Sequence, residues 1–234
     1  MNNMRKPFSS APLRPCAFAF NWLFRLFSAL FACFACFAGD SCFSQTILFQ
    51  DNFENDTLGP PPSTFLVLDG DFAVKQIDAN KVLELPGAPL DTFGALFGPA
   101  TNGALTISAR IFGTRHGRRY PFFGLGLSGG GGYRLQVSPA KDALEIFRGD
   151  TSIASVPYKW QSGAWTILRL HLHPLDDSTR RLEGKAWTDG SPEPANWLVT
   201  IEDKSPPPAG RASLWGSPVS GTPIRFDDLV LTLQ

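Results

Sequence analysis

An all-β fold, two antiparallel sheets stacked as a sandwich, is the class this sequence predicts, and three observations carry it. Short runs of alternating apolar and polar residues recur about every ten residues from Thr46 onward. Gly, Pro, Asp and Asn punctuate them, and no stretch repeats apolar residues at the spacing of an amphipathic helix. The chain closes with a strand, a Gly/Pro-rich turn and a final strand whose alternation slips one residue at Asp227 and Asp228. Ile224 and Phe226 share one phase while Leu229, Leu231 and Leu233 take the other, which predicts a β-bulge at the Asp pair.

The elements follow in order. Strands are expected at 46–49, 64–68, 72–77 and 82–85, each a run of β-branched, aromatic or leucine residues ended by Asp, Asn, Gly or Pro. Alternation predicts 105–112, then 122–127 and 133–137 joined through Gly129 to Gly132. Next come 143–147, 152–156, and the pair 166–173 and 181–188 turned by Asp176, Asp177 and Ser178. Strands at 197–201 and 212–215 are separated by the rigid Pro206, Pro207, Pro208 connection, and 224–233 is last. Fourteen strands without an internal repeat suit one sandwich domain.

The N-terminus reads differently. Arg5, Lys6, Arg14 and Arg25 precede an apolar run from Leu26 to Ala38 and then small and polar residues, the three-part layout of an export signal. That run is about 13 residues, short of the roughly 20 that span a bilayer. Small residues at Cys42 and Ser44 favour cleavage before Gln45, with Ala38 as the alternative, and Leu30 to Cys33 is a lipoprotein box spoiled by Phe31. The expectation is a signal peptide over 1–44, a domain over 45–234, a secreted or periplasmic location, and no stable membrane span after cleavage.

All four cysteines, Cys16, Cys33, Cys36 and Cys42, fall in that leader, so the domain has no disulfide framework and no thiolate zinc site. The leader also holds four of the 21 basic and one of the 21 acidic residues, leaving 17 against 20 and a net charge of −3. That balance argues against nucleic acid as a partner. At 190 residues, folding buries roughly 70% of the unfolded chain's surface, enough for a core without covalent staples.

The segments FQDNFEND, GLGLSGGGGYRLQV, SGAWTILRLHLH, KAWTDG, PAGRASLWG and IRFDDLVL, taken in this order, resemble the concanavalin A-like lectin/glucanase superfamily over about residues 46–233. The resemblance implies a jelly roll, either a non-catalytic glycan-binding or LamG-like module or a catalytic branch such as the laminarinase-type glycosidases or the 3-keto-disaccharide hydrolase domains. Laminarinase chemistry needs a Glu-x-Asp-x-(x)-Glu array on one strand, which puts two carboxyls about 5.5 Å apart on one face. This chain has none: Glu145 and Glu183 stand alone, and Glu202 and Asp203 are adjacent. Where the keto-disaccharide hydrolases carry G-N-S-G, this chain reads GLGLSGGGGYR.

Candidate binding residues come from the outward phases. With Phe123, Leu125 and Leu127 inward, Gly124 and Gly126 leave a shallow trough beside which Arg134 and Gln136 project. With Leu168, Leu170 and Leu172 inward, Arg169, His171 and His173 share the outer face, opposite Glu183, Lys185 and Trp187, and symmetric pairing sets His171 against Glu183. The two histidines fall short of the three or four ligands zinc prefers, with only the distant His116 besides, whereas an outward Trp187 would serve as a sugar-stacking platform or else be covered by a neighbouring loop. The loop GTRHGRRY concentrates Arg115, Arg118 and Arg119, guanidinium forks that suit the sulfate or carboxylate of an anionic polysaccharide.

Asp51 falls on the apolar phase of the first strand and needs a donor or a cation. The resemblance implies a structural calcium held by Asp51, Asp227 or Asp228 with backbone carbonyls. The alternative is pairing of these carboxylates to Arg225 or to backbone amides. Together these readings predict an exported module that binds carbohydrate through one polar sheet face around Arg134, Gln136, His171 and Trp187. The rivals are a glycoside-processing hydrolase or lyase with carboxylates from separate strands, and a structural surface protein.

Overall fold

The computed structural model describes residues 45–88, 91–219 and 221–234. The expected signal peptide and the cysteines lie outside the described residues. Among the described residues fifteen strands form: β1 (Thr46–Asp51), β2 (Leu66–Asp69), β3 (Ala73–Ile77), β4 (Asn80–Leu85), β5 (Phe93–Thr101), β6 (Leu105–Phe112), β7 (Phe122–Leu127), β8 (Tyr133–Ser138), β9 (Ala143–Arg148), β10 (Thr151–Pro157), β11 (Trp165–Pro174), β12 (Arg180–Thr188), β13 (Val199–Asp203), β14 (Gly210–Ser217) and β15 (Ile224–Leu233). A 3-10 turn, Pro139–Lys141, lies between β8 and β9. Among the described residues no helix is long and apolar enough to cross a membrane.

The strands make two antiparallel sheets, a jelly-roll sandwich. The first runs β13-β12-β11-β6-β15-β4-β3, with β1 also on β15; the second runs β10-β9-β8-β7-β14-β5-β2. The core is the inward phase of both. Leu168 and Leu170 of β11 and Leu125 and Leu135 of β7 and β8 are wholly buried, as are Phe97 of β5 and Phe226 of β15. Each such side chain contributes roughly 1.5–3 kcal/mol on leaving water. Gly184 marks how tightly the layers close, because a Cβ there would lie 2.5 Å from Leu135 Cδ1 of the opposite sheet.

Local readings hold where period and turn chemistry act alone. β7 and β8 pair through the Gly turn with Gly126 opposite Arg134 and Gly124 opposite Gln136. His171 pairs with Glu183 across β11 and β12. The ladder between β15 and β6 shifts between Asp227 and Val230, and Asp228 takes φ 49°, so the bulge sits at the Asp pair. Phase-slipped Leu229 and Leu231 thereby still reach the core.

One strand was not foreseen. β5 lies between β14 and β2, yet Gly94, Gly98 and Pro99 break its sequence pattern. Gly98 has φ 66°, and the pairing with β14 shifts between Gly210 and Ala212, so this strand carries its own bulge.

Candidate functional site

The expected single polar face is two faces. Arg134 and Gln136 stand on the outer side of the β8 sheet, whereas His171, Glu183 and Trp187 stand on the outer side of the β11 sheet. Each strand sends its leucines to the common core, so its polar phase must point away from the other sheet.

On the β8 side, the Arg134 guanidinium lies 4.8 Å from the ring centre of Phe147 and 5.2 Å from that of Trp215. Phe147 is its cross-strand neighbour on β9, and Trp215 on β14 reaches it diagonally across Gly124. Burial pushes the Arg134 pKa down from the ordinary arginine value, with Asp150 and Glu145 opposing. The two rings therefore hold a partly desolvated cation. Its Nε has no protein partner, nor does the buried Oε1 of Gln136, whose Nε2 donates to Ser138 Oγ at 2.9 Å.

The glycine floor is a backbone requirement. A Cβ on Gly124 would lie 2.4 Å from the Leu135 carbonyl oxygen, and one on Gly126 equally close to that of Tyr133. Trp215 lies over a third glycine, since a Cβ on Gly94 would meet its ring at 2.9 Å. Its indole Nε1 donates to Ser213 Oγ at 2.9 Å, which fixes the ring plane. Beside Gln136, Glu145 accepts from Lys141 at 3.1 Å and from Ser152 Oγ at 3.1 Å. Burial pushes the Glu145 carboxyl up, but hydrogen bonds from Ser138, Lys141 and Ser152 outweigh it and hold the group below the usual carboxylate range. The result is a half-buried tryptophan and a cation beside unsatisfied amide and guanidinium atoms, above the buried backbone of Gly124 and Gly126, which can stack a ring and bond its hydroxyls.

Trp215, Phe147 and Ser213 were not singled out from sequence. Alternation in β14 sends Ala212 and Leu214 inward and so turns Ser213 and Trp215 outward, but the pairing of β14 with β7 joins residues about 90 apart.

On the β11 side, Trp187 is not the open platform its phase suggested. It is only 8% exposed, and Arg169 stacks 5.6 Å from its ring centre. The segment after β12 also folds back over this face: Glu193 binds Arg169 at 2.6 Å and Lys185 at 2.7 Å. Trp197 stacks on His171 with ring centres 5.8 Å apart and receives Lys185 Nζ at 4.6 Å on its face. His171 Nδ1 lies 3.2 Å from Glu183 Oε2, and its buried Nε2 has no partner. Burial lowers the His171 pKa below the ordinary imidazole value, outweighing the upward pull of Glu183.

The three carboxylates that the resemblance points to for calcium, Asp51, Asp227 and Asp228, are placed around the bulge and the end of β1. The Asp227 carboxylate, 1% exposed, accepts from Arg110 Nη2 at 2.6 Å, from Asn80 Nδ2 at 2.8 Å and from the Asp228 backbone N–H at 2.8 Å. Arg110 also meets Asp228 at 3.2 Å and Asp189 at 3.1 Å. Asp51 caps the N–H of Phe53 at 2.8 Å, the donor its phase demanded, and so supports Phe53 at φ 60°. The guanidinium that meets Asp227 and Asp228 is that of Arg110, while Arg225 pairs with Glu84 at 2.9 Å. Among the described residues no three His, Cys, Asp or Glu side chains converge as metal ligands. Arg115, Arg118 and Arg119 are exposed on the loop between β6 and β7.

No protein-family model matches this chain, and no curated protein matches it in sequence. Solved structures share its fold. The PL-14 alginate lyase from the marine Aplysia kurodai superposes with TM-score 0.53 at 10% identity, covering 81% of this chain and 100% of that one. The carbohydrate recognition domain of Emp46p, in metal-free form, gives 0.51 at 13% identity over 72% and 88%. The carbohydrate-binding module CBM66 from Bacillus subtilis gives 0.50 at 12% identity over 72% and 94%. At such identities the likeness is one of fold: this chain is a jelly-roll sandwich.

Proposed function

We propose that this protein is an exported glycan-binding module that holds a sugar ring on the outer face of the β8 sheet without cleaving it. One observation carries the reading: the guanidinium of Arg134 flanked by Phe147 and Trp215, beside the unpartnered Oε1 of Gln136. Trp215 supplies the stacking surface, and Arg134 and Gln136 supply donors and an acceptor for hydroxyls. Structural neighbours named as a carbohydrate-binding module and a carbohydrate recognition domain support that class of ligand. Export rests on the residue 1–44 leader pattern.

The test is a glycan array with the purified protein, followed by titration of any hit. Trp215→Ala and Arg134→Ala should each weaken the hit by about tenfold or more while the melting temperature holds. Unchanged affinity in both removes the site.

A second reading, sugar cleavage, draws on the bulge. Asp228 lines a cavity of about 250 Å³ with Asp189 and Arg110. Desolvation, then the neighbouring Asp227 charge, push its carboxyl up. A raised carboxyl close to a second carboxyl is the pairing that acid-base cleavage of a glycosidic bond uses, and one structural neighbour is a lyase. Release of reducing ends from a bound glycan, abolished in Asp228→Asn, would establish it; a bound glycan left intact would exclude it.

A further inference from the structure

We propose that the end of the sandwich beneath the β6–β7 loop is a second binding site, one that takes the carboxylate or sulfate group of an acidic sugar. A cavity of about 390 Å³ opens there, lined among others by Arg115, Tyr120, Asp142, Trp160, Gln161 and Ser162. It shares no residue with the Arg134 face. That the ligand is a sugar rests on the glycan-binding reading; that it is anionic rests on the residues below.

The cavity is built by two segments tied together. The Arg115 backbone N–H donates to Ser162 Oγ at 2.9 Å, and the Gly163 N–H donates to the Gly113 carbonyl at 3.0 Å. The loop tip is a tight turn in which His116 and Arg119 exchange two backbone hydrogen bonds of 3.0 Å, with Gly117 at φ 63°. Arg118 and Arg119, like Arg115, are exposed on this loop. Trp160 is anchored from behind, its ring edge-on to Phe123 with centres 6.0 Å apart. Tyr120, 38% exposed, supplies a second aromatic wall.

Charge and hydrogen bonding both call for an anionic oxygen. Among the described residues no ion pair engages the guanidinium groups of Arg115, Arg118 or Arg119. Three cations thus sit on one loop of a domain whose net charge is −3, and one of them, Arg115, lines the cavity, opposed there by the single carboxylate of Asp142. The fork of an arginine matches the two oxygens of a carboxylate or sulfate. The buried indole N–H of Trp160, a residue of the cavity wall, has no acceptor in the protein. Asp142 and Gln161 are left to accept and donate to ring hydroxyls, and the aromatic walls to meet the ring's apolar face.

The experiment measures binding of the purified protein to oligogalacturonate, to dextran sulfate and to plain dextran, at low and at moderate salt. The two acidic probes separate carboxylate from sulfate, and dextran controls for the backbone. At least one acidic probe should bind and dextran should not bind at this site. Arg115→Ala and Tyr120→Ala should each weaken the acidic probe by about tenfold, and salt should weaken it further. The double variant Lys75→Ala/Lys204→Ala removes two exposed charges elsewhere and should change binding by no more than about twofold. The proposal is overturned if neither acidic probe binds, if Arg115→Ala and Tyr120→Ala bind as well as the parent, or if the lysine variant loses as much as Arg115→Ala. Trp215→Ala should leave acidic-probe binding in place, so the two sites fail separately.

Discussion

Arg110 Nη2 lies 2.6 Å from Asp227 Oδ2, and the two residues face each other across the β6–β15 ladder at the step where the bulge begins. The carboxylate is buried and the guanidinium is a quarter exposed, so the pair is only partly screened. Asn80 and the Asp228 N–H complete the shell around the carboxylate. The same contacts pin the left-handed conformation of Asp228, which lets Leu229 and Leu231 return to the core.

Arg110→Ala should therefore destabilise the fold by about 2–3 kcal/mol, because it leaves a buried carboxylate short of its strongest donor. Asp227→Asn keeps an acceptor for Asn80 and should cost less, about 1 kcal/mol. Urea unfolding of both and of the double variant measures the coupling; additive losses would show that the pair does not act as a unit.

His171 makes stability depend on pH. Its folded-state pKa lies below the unfolded one because burial disfavours the imidazolium more than Glu183 favours it. The unfolded chain thus binds the proton first as pH falls, so native stability is full above about pH 6.5 and declines as pH drops toward the folded value. His171→Gln should flatten this part of the stability profile relative to the parent, while the pH 8 stability changes little. A parent and variant that decline in parallel between pH 7 and 5 would assign the dependence to other groups.

Gly124 cannot accept a side chain without moving the neighbouring strand. A Cβ there would meet backbone of Leu135 and Gln136 at 2.4 and 3.2 Å, and backbone does not yield as a side-chain tip does. Gly124→Ala should cost about 1–3 kcal/mol and weaken glycan binding, since Gln136 is the paired residue. Substitution at Gly190, where nothing lies within 4 Å, is the comparison for a glycine chosen by its φ of 83° alone. Thermal melting of the two alanine variants separates strand displacement from backbone strain.

The sequence by itself determined the all-β class, most strand positions, the β7–β8 and β11–β12 registers and the bulge at Asp227 and Asp228. These are consequences of a two-residue period and of local turn chemistry, which act within a hairpin or a single strand. β5 escaped because two glycines and a proline erase its alternation, and only the company of β14 and β2 makes it a strand. The tertiary structure alone decided which polar phases share a face. It separated Arg134 from His171 by the thickness of the sandwich, laid Trp197 and Glu193 over the face that carries Trp187, and brought Asp227 to an arginine 117 positions away. Each of those outcomes depends on the order of strands in a sheet or the path of a loop, and period-two patterning constrains neither.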